Sequence, residues 1–190
     1  MRGGSGVTDI TALLRDAREG ERPDLGPVFE CLYGELKRIA QSRLAGLPPG
    51  QTLGSTALVH EAYLKLASSD SLSLQSRKHF FACAARAIRQ IVIDRARIAG
   101  AEKRGAGLQQ ITLGDADAIA SDEDLLELDD ALRDLERIDP TLAELVELRY
   151  FAGLPLSRIA ELRKLSERTV ARDWERARAL LRVRLEGDGY

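Results

Sequence analysis

Arg168, Arg172 and Arg176 recur every fourth residue toward the end of a 190-residue chain. On an α-helix that spacing sets three guanidinium groups on one face. Each is a planar fork of donors that fits a phosphate or the edge of a guanine. Val170, Trp174, Ala177 and Leu181 recur at intervals of four, three and four on the other side, a stripe that must be buried. Ser166 is placed as the N-cap of this helix. A shorter helix before it starts near Pro155 and buries Ile159 and Leu162. A short helix, a turn and a longer helix with a basic outer face is the helix-turn-helix arrangement, whose second helix enters the major groove. The competing reading of these residues is an ordinary helical hairpin with a solvated arginine face.

Other chemistry is poorly represented. His60 and His79 are the only histidines, and neither has a second ligand at metal spacing. His60-Glu61 lacks the partner histidine of a zinc-binding helix, and Gly105-Ala106-Gly107 is followed by no P-loop lysine. No nucleophile motif is present. The expectation is no enzyme, no catalytic residue, no metal and no cofactor.

A hydrophobic content of 44% can fill a core, and few prolines with abundant Ala, Leu and Arg favour helices over strands. The formal net charge of −2 hides a strong segregation. Residues 77–104 carry a net +6, residues 115–136 a net −9, and residues 163–184 a net +5. Two basic blocks flank an acidic one. Cys31 and Cys83 fall on apolar helix faces, so buried free thiols in a reducing cytosol are expected. No stretch of about 18 apolar residues and no signal peptide are present, which predicts a soluble, cytoplasmic protein with no membrane contact.

The expected architecture is all-α, in two helical domains. After a flexible tail at residues 1–7, helices are expected over residues 8–19, 27–44, 56–67 and 77–98. The second carries Val28, Phe29, Leu32, Tyr33, Leu36 and Ala40 inward, and the third Leu58, Val59, Ala62, Tyr63 and Leu66. The segment from Gly46 to Gly50, GLPPG, separates these two helices. Ser76 caps the fourth, which buries Phe80, Ala84, Ala87, Ile88 and Ile91 and leaves Arg86, Arg89, Gln90 and Arg97 on its surface. This four-helix domain spans residues 8–104, an acidic linker follows over 105–124, and the helix-turn-helix domain occupies 125–186.

The run LAELVELRYFAGLPLSRIAELRKLSERTV followed by ARALLRVRL resembles the −35-binding domain of sigma-70-class sigma factors. TALVHEAYLKL and HFFACAARAIRQIVIDRARIAGAEKR resemble the other conserved domain of that class. Two domains in this order are the layout of its extracytoplasmic-function (ECF) group. The resemblance implies a factor that binds core RNA polymerase and directs it to promoters. It implies that Leu58, Glu61, Ala62, Tyr63 and Lys65 dock on the polymerase. It further implies that the serine-rich loop and fourth helix capture the melted −10 strand. A melted strand needs cations and aromatic platforms; Arg77, Lys78, His79, Phe81, Arg86 and Arg89 are the candidates, with Phe80 expected in the core and Phe81 open to either role. Arg168, Thr169, Arg172 and Arg176 are expected in or beside the major groove of the −35 duplex. Arg178, Arg182 and Arg184 are expected on phosphate or in solvent.

Two departures from the family pattern stand out. The turn between the last two helices commonly carries glycine, yet here it reads Arg163-Lys164-Leu165. A lysine in the left-handed region costs on the order of 1 kcal/mol. Family members also carry acids just before the polymerase-docking helix, where this chain has Gly54, Ser55, Thr56 and Ala57. Hydroxyls at a helix N-terminus could instead receive phosphate, whose charge the free amides and dipole favour. Thr56 is the first candidate for a Ser/Thr protein kinase, with Thr52 and Ser55 next; the alternative is that Ser55 and Thr56 only cap the helix. An anti-sigma factor is a further candidate partner. The rival functions are a regulator that binds operator DNA without polymerase, and an interaction module that occupies a sigma-binding partner.

Overall fold

The computed structural model describes residues 12, 13, 16, 25–44, 54–68, 76–102 and 122–187. All regular structure among them is helical. The helices are α1 (Gly26–Leu44), α2 (Ser55–Ala67), α3 (Arg77–Glu102), α4 (Asp122–Ile138), α5 (Pro140–Val146), α6 (Leu156–Arg163) and α7 (Glu167–Gly187), with a π-helical turn (Glu147–Phe151) continuing α5. The backbone of residues 12, 13 and 16 is also helical. Thr52, the linker over residues 105–121 and most of the serine-rich loop lie outside the described residues.

Three of the helices are started by a side-chain cap. The Ser76 hydroxyl accepts from His79 N–H at 3.1 Å at the head of α3. The Asp139 carboxylate accepts from the amides of Thr141 and Leu142, ahead of Pro140 in the first turn of α5. Ser166 accepts from Thr169 N–H at 3.1 Å, as expected for α7. Lys164 does adopt the left-handed conformation, with φ 55°. It closes α6 as a Schellman motif: Leu165 N–H reaches Ala160 C=O at 3.0 Å and Lys164 N–H reaches Glu161 C=O at 3.2 Å.

In the N-terminal half, α1, α2 and one side of α3 enclose Phe29, Leu32, Leu36, Leu58, Ala62, Phe80 and Ile88. Phe29 meets Tyr63 and Phe80 edge to face at 4.9 and 5.3 Å. In the C-terminal half, Val170, Trp174, Ala177 and Leu181 are buried against α4, α5 and α6, as their spacing requires.

The two halves share one continuous core, because α3 packs on both. Its second face carries Phe81, Ala85, Arg89 and Ile93, one stripe at intervals of four, turned toward α4 and the π-helical turn. Three expectations are corrected here. Arg89, expected on the surface, is 7% exposed, because two carboxylates surround its guanidinium. Tyr33 was expected inward but is exposed, with the Lys37 ammonium 5.8 Å from its ring centre. Cys31, expected buried, is also exposed. Cys83 is half-buried, and burial pushes its thiol up from the usual range. The acidic stretch becomes helical at Asp122, three residues before the expected start of the second domain. Among the described residues, no helix is long and apolar enough to cross a membrane.

Candidate nucleic-acid interface

Helix α7 presents the arginine face that its spacing implied. Arg168, Arg172 and Arg176 are all exposed, and the buried stripe through Trp174 fixes their orientation from below. Asp173 lies 4.0 Å from Arg172 and 3.8 Å from Arg176, contacts too long and too exposed to hold either head group in place. Thr169 is half-buried, its hydroxyl 2.8 Å from that of Ser166, so it serves the start of the helix. Arg184 is turned away from this face: its Nε donates to Asp134 on α4 at 2.6 Å and holds that carboxyl below its usual range. Arg182 is exposed.

The candidates on α3 are in a different state. Arg77 donates to Glu35 on α1 at 2.6 Å, and its guanidinium lies 5.7 Å from the centre of the Phe81 ring. Lys78 pairs with Glu144 on α5 at 3.1 Å. His79 is half-buried. Phe81 is 0% exposed, so in this conformation it is core and offers no ring face to a base. Arg86 pairs with Glu136 at 2.6 Å and with Glu147 at 3.4 Å. Arg89 donates to Asp129 and Glu147, both at 2.8 Å, and to the Asp129 carbonyl at 2.9 Å. Burial raises the Glu147 carboxyl above its usual range in spite of the two arginines beside it. Lys78, Arg86 and Arg89 are therefore engaged by carboxylates of the chain's own second half, and Arg77 by one of the first.

Helix α2 splits its candidates in two. Leu58 and Ala62 are buried against α1 and α3, so they support the helix from beneath. Glu61 accepts from Arg95 at 2.8 Å, Lys65 lies 3.7 Å from Asp94, and Tyr63 packs beside Phe29. The outward face also carries His60 and Leu64, the latter 51% exposed. Leu64 was not among the expected docking residues; the signal for it is helical phase, which sets it outside the inward stripe of Leu58, Val59, Ala62 and Leu66. At the N-terminus of α2 the cap is Gly54, with no side-chain hydrogen bond and no acid in the first turn. Thr56 is exposed and Ser55 half-buried, so the capping alternative for these hydroxyls is not the one adopted.

No group of three or more potential metal ligands is placed to hold an ion among the described residues. Searches of curated proteins and of solved structures return no match. The family model described as ECF sigma factor matches residues 7–187. That span takes in both halves and the segment between them, and the chain therefore belongs to the ECF sigma factor family.

Proposed function

We propose that this transcription initiation factor is switched on by phosphorylation at the head of α2, and that its two basic faces divide the promoter between them. Helix α7 reads the −35 duplex through Arg168, Arg172 and Arg176, with Thr169 beside them. Guanidinium forks aimed into a major groove take guanine bidentately, and the same groups clamp phosphates. Helix α3 takes the melted −10 strand through Arg77, Lys78, His79 and Arg86, with Phe81 and Arg89 joining only if the second half moves away. The outer face of α2, with Glu61, Tyr63, Lys65 and Leu64, meets core RNA polymerase.

The observation that carries the switch is the uncapped, acid-free first turn of α2 beside an exposed Thr56. The first turn of a helix has amides without intrahelical partners and the positive end of the dipole. A phosphate there gains both and supplies negative charge for a basic polymerase surface. Gly54 has open space where a side chain would go, so a carboxylate can also be installed there without a clash.

Promoter-dependent transcription with core polymerase tests this. The unmodified protein and Thr56→Ala are expected to be weak. Protein phosphorylated by a Ser/Thr kinase is expected to be active, and Thr56→Glu or Gly54→Asp partly so. Full activity from the unmodified protein would remove the switch and direct attention to an anti-sigma factor. Full activity from phosphorylated Thr56→Ala would move the site to Ser55 or Thr52.

A further inference from the structure

We infer that the junction of α3, α5 and α6 is a binding site for a small phosphate-bearing anion, with Arg163 as its floor and Lys78 at its mouth. Arg163 is the last residue of α6, and its side chain is only 3% exposed. Its Nη2 donates to Thr141 C=O at 2.8 Å and to Glu144 Oε1 at 3.1 Å. Its Nε and Nη1 are buried with no hydrogen-bond partner among the described residues. A guanidinium presents two forked edges, Nη2 with Nε and Nη2 with Nη1, so each edge of Arg163 keeps one open donor. Buried donors are expensive to leave unpaired, and most of all on a charged group.

The charges around Arg163 lean the same way. Glu144 Oε1 is shared, lying 3.1 Å from Lys78 as well as 3.1 Å from Arg163. Glu35 Oε1 is shared in the same manner, lying 2.6 Å from Arg77 and 4.0 Å from Arg158. Each of these carboxylates thus bridges a base of α3 and a base of α6. Arg158 also pairs with Glu161. Four bases (Arg77, Lys78, Arg158, Arg163) against three acids (Glu35, Glu144, Glu161) leave a net +1. The Arg77 Nε is a further buried donor with no partner among the described residues.

The class of ligand follows from what the chain's own acids fail to do. Glu144 is planar and reaches one nitrogen of the Arg163 fork, leaving the other two without acceptors. A phosphate group carries its oxygens in three dimensions and bears a higher charge. It can therefore take an edge of the guanidinium and the Lys78 ammonium together. The side chains of Lys78 and Glu144 are 40% and 26% exposed, so a turn of Glu144 toward water opens a path to Arg163. A phosphate within a DNA backbone is too encumbered to follow that path, which favours a small free anion. Arg163 immediately precedes the left-handed Lys164, so an occupant bears on the turn that sets α7.

Titration calorimetry with inorganic phosphate is the test, with chloride at matched ionic strength as the control. The chain is used unphosphorylated, so the result does not depend on the switch at Thr56. Saturable binding is expected, with a rise in Tm that chloride does not reproduce. Two substitutions should move the affinity in opposite directions. Arg163→Met should weaken it at least about ten-fold. Glu144→Gln, which removes the competing carboxylate, should strengthen it several-fold. In chloride, Arg163→Met should keep the parent's Tm or exceed it, because the donors it removes were unpaired and Glu144 retains Lys78.

No binding beyond the chloride control overturns the site. Equal affinity in the parent and in Arg163→Met also overturns it, since the phosphate then sits elsewhere, the head of α2 included. Should Arg163→Met not fold, Glu144→Gln decides alone: an unchanged or weakened phosphate affinity there refutes the inference. A saturating −35 duplex should leave the phosphate affinity of the parent unaltered. Displacement of phosphate by the duplex would assign Arg163 to the DNA backbone and remove the small anion.

Discussion

A residue's role follows from what surrounds it, and Glu147 illustrates how far surroundings override type. It sits where the helix after α5 widens into its π-helical turn, and it is almost fully buried. Burial raises its carboxyl above the ordinary value of 4.5, and Glu136 adds to this; Arg86 and Arg89 oppose it. A raised carboxyl means that the folded protein holds this proton more tightly than the unfolded chain. Its contribution to stability is therefore present below pH 4.5 and is lost as pH rises through the folded value. We expect the unfolding free energy of the parent, relative to that of Glu147→Gln, to decline as pH is raised from 4.5 toward neutrality. Urea titrations at several pH values check this, and a difference that grows with pH would contradict the sign.

Residue by residue, the sequence was most legible where one helix had one job. Val170, Trp174, Ala177 and Leu181 lie where their spacing put them. It was least legible at Phe81 and Arg89. The stripe Phe81, Ala85, Arg89, Ile93 runs beside the expected one of Phe80, Ala84, Ala87, Ile88 and Ile91, so α3 is apolar on two sides. That is the mark of a helix buried on both. A single arginine in the second stripe disguised it, since an unpaired guanidinium does not belong in a core and its partners lie 40 and 58 residues away in sequence.

Among elements, the helix-turn-helix depends on how α6 ends. The left-handed Lys164 carries a steric cost of about 1–2 kcal/mol that glycine lacks. Glycine's extra freedom in the unfolded chain takes back about 0.5–1 kcal/mol. Lys164→Gly is thus expected to stabilise the protein by about 0.5–1 kcal/mol, a rise of about 1–4 °C in Tm. Calorimetry measures it, and a lowered Tm would mean that the lysine side chain makes a compensating contact. The turn was readable in advance because its departure from glycine falls where a helix must stop. The helix starts at Ser76 and Ser166 were readable for the same reason: caps are local chemistry. The face that α2 turns outward was legible only in part: helical phase set Leu58 inward, but Leu64 was not named for the outer face.

For the whole molecule, helix order and family could be read from the chain, whereas the packing of one half on the other could not. A charge pattern of basic, acidic, basic is compatible with a solvated tether or with a closed seam; only long-range pairing decides between them. Membership of the ECF family sets aside the operator-binding regulator. A shared core also makes a thermodynamic prediction. The single tryptophan, Trp174, reports only on the C-terminal half, while far-ultraviolet dichroism reports on all helices. Denaturation curves from the two probes should superimpose for the parent chain. They should separate in Asp129→Asn/Glu147→Gln, and superposition there would mean that the apolar stripe alone couples the halves.

The make-up of that stripe also bears on solubility. A protein that opens in the course of its work exposes whatever held it shut, and a broad oily patch invites self-association. Here charged pairs flank the apolar stripe of Phe81, Ala85, Ile93 and Ala96. When the halves separate, Asp129 keeps Arg133 from its own helix as a partner, so its carboxylate passes into water already neutralised.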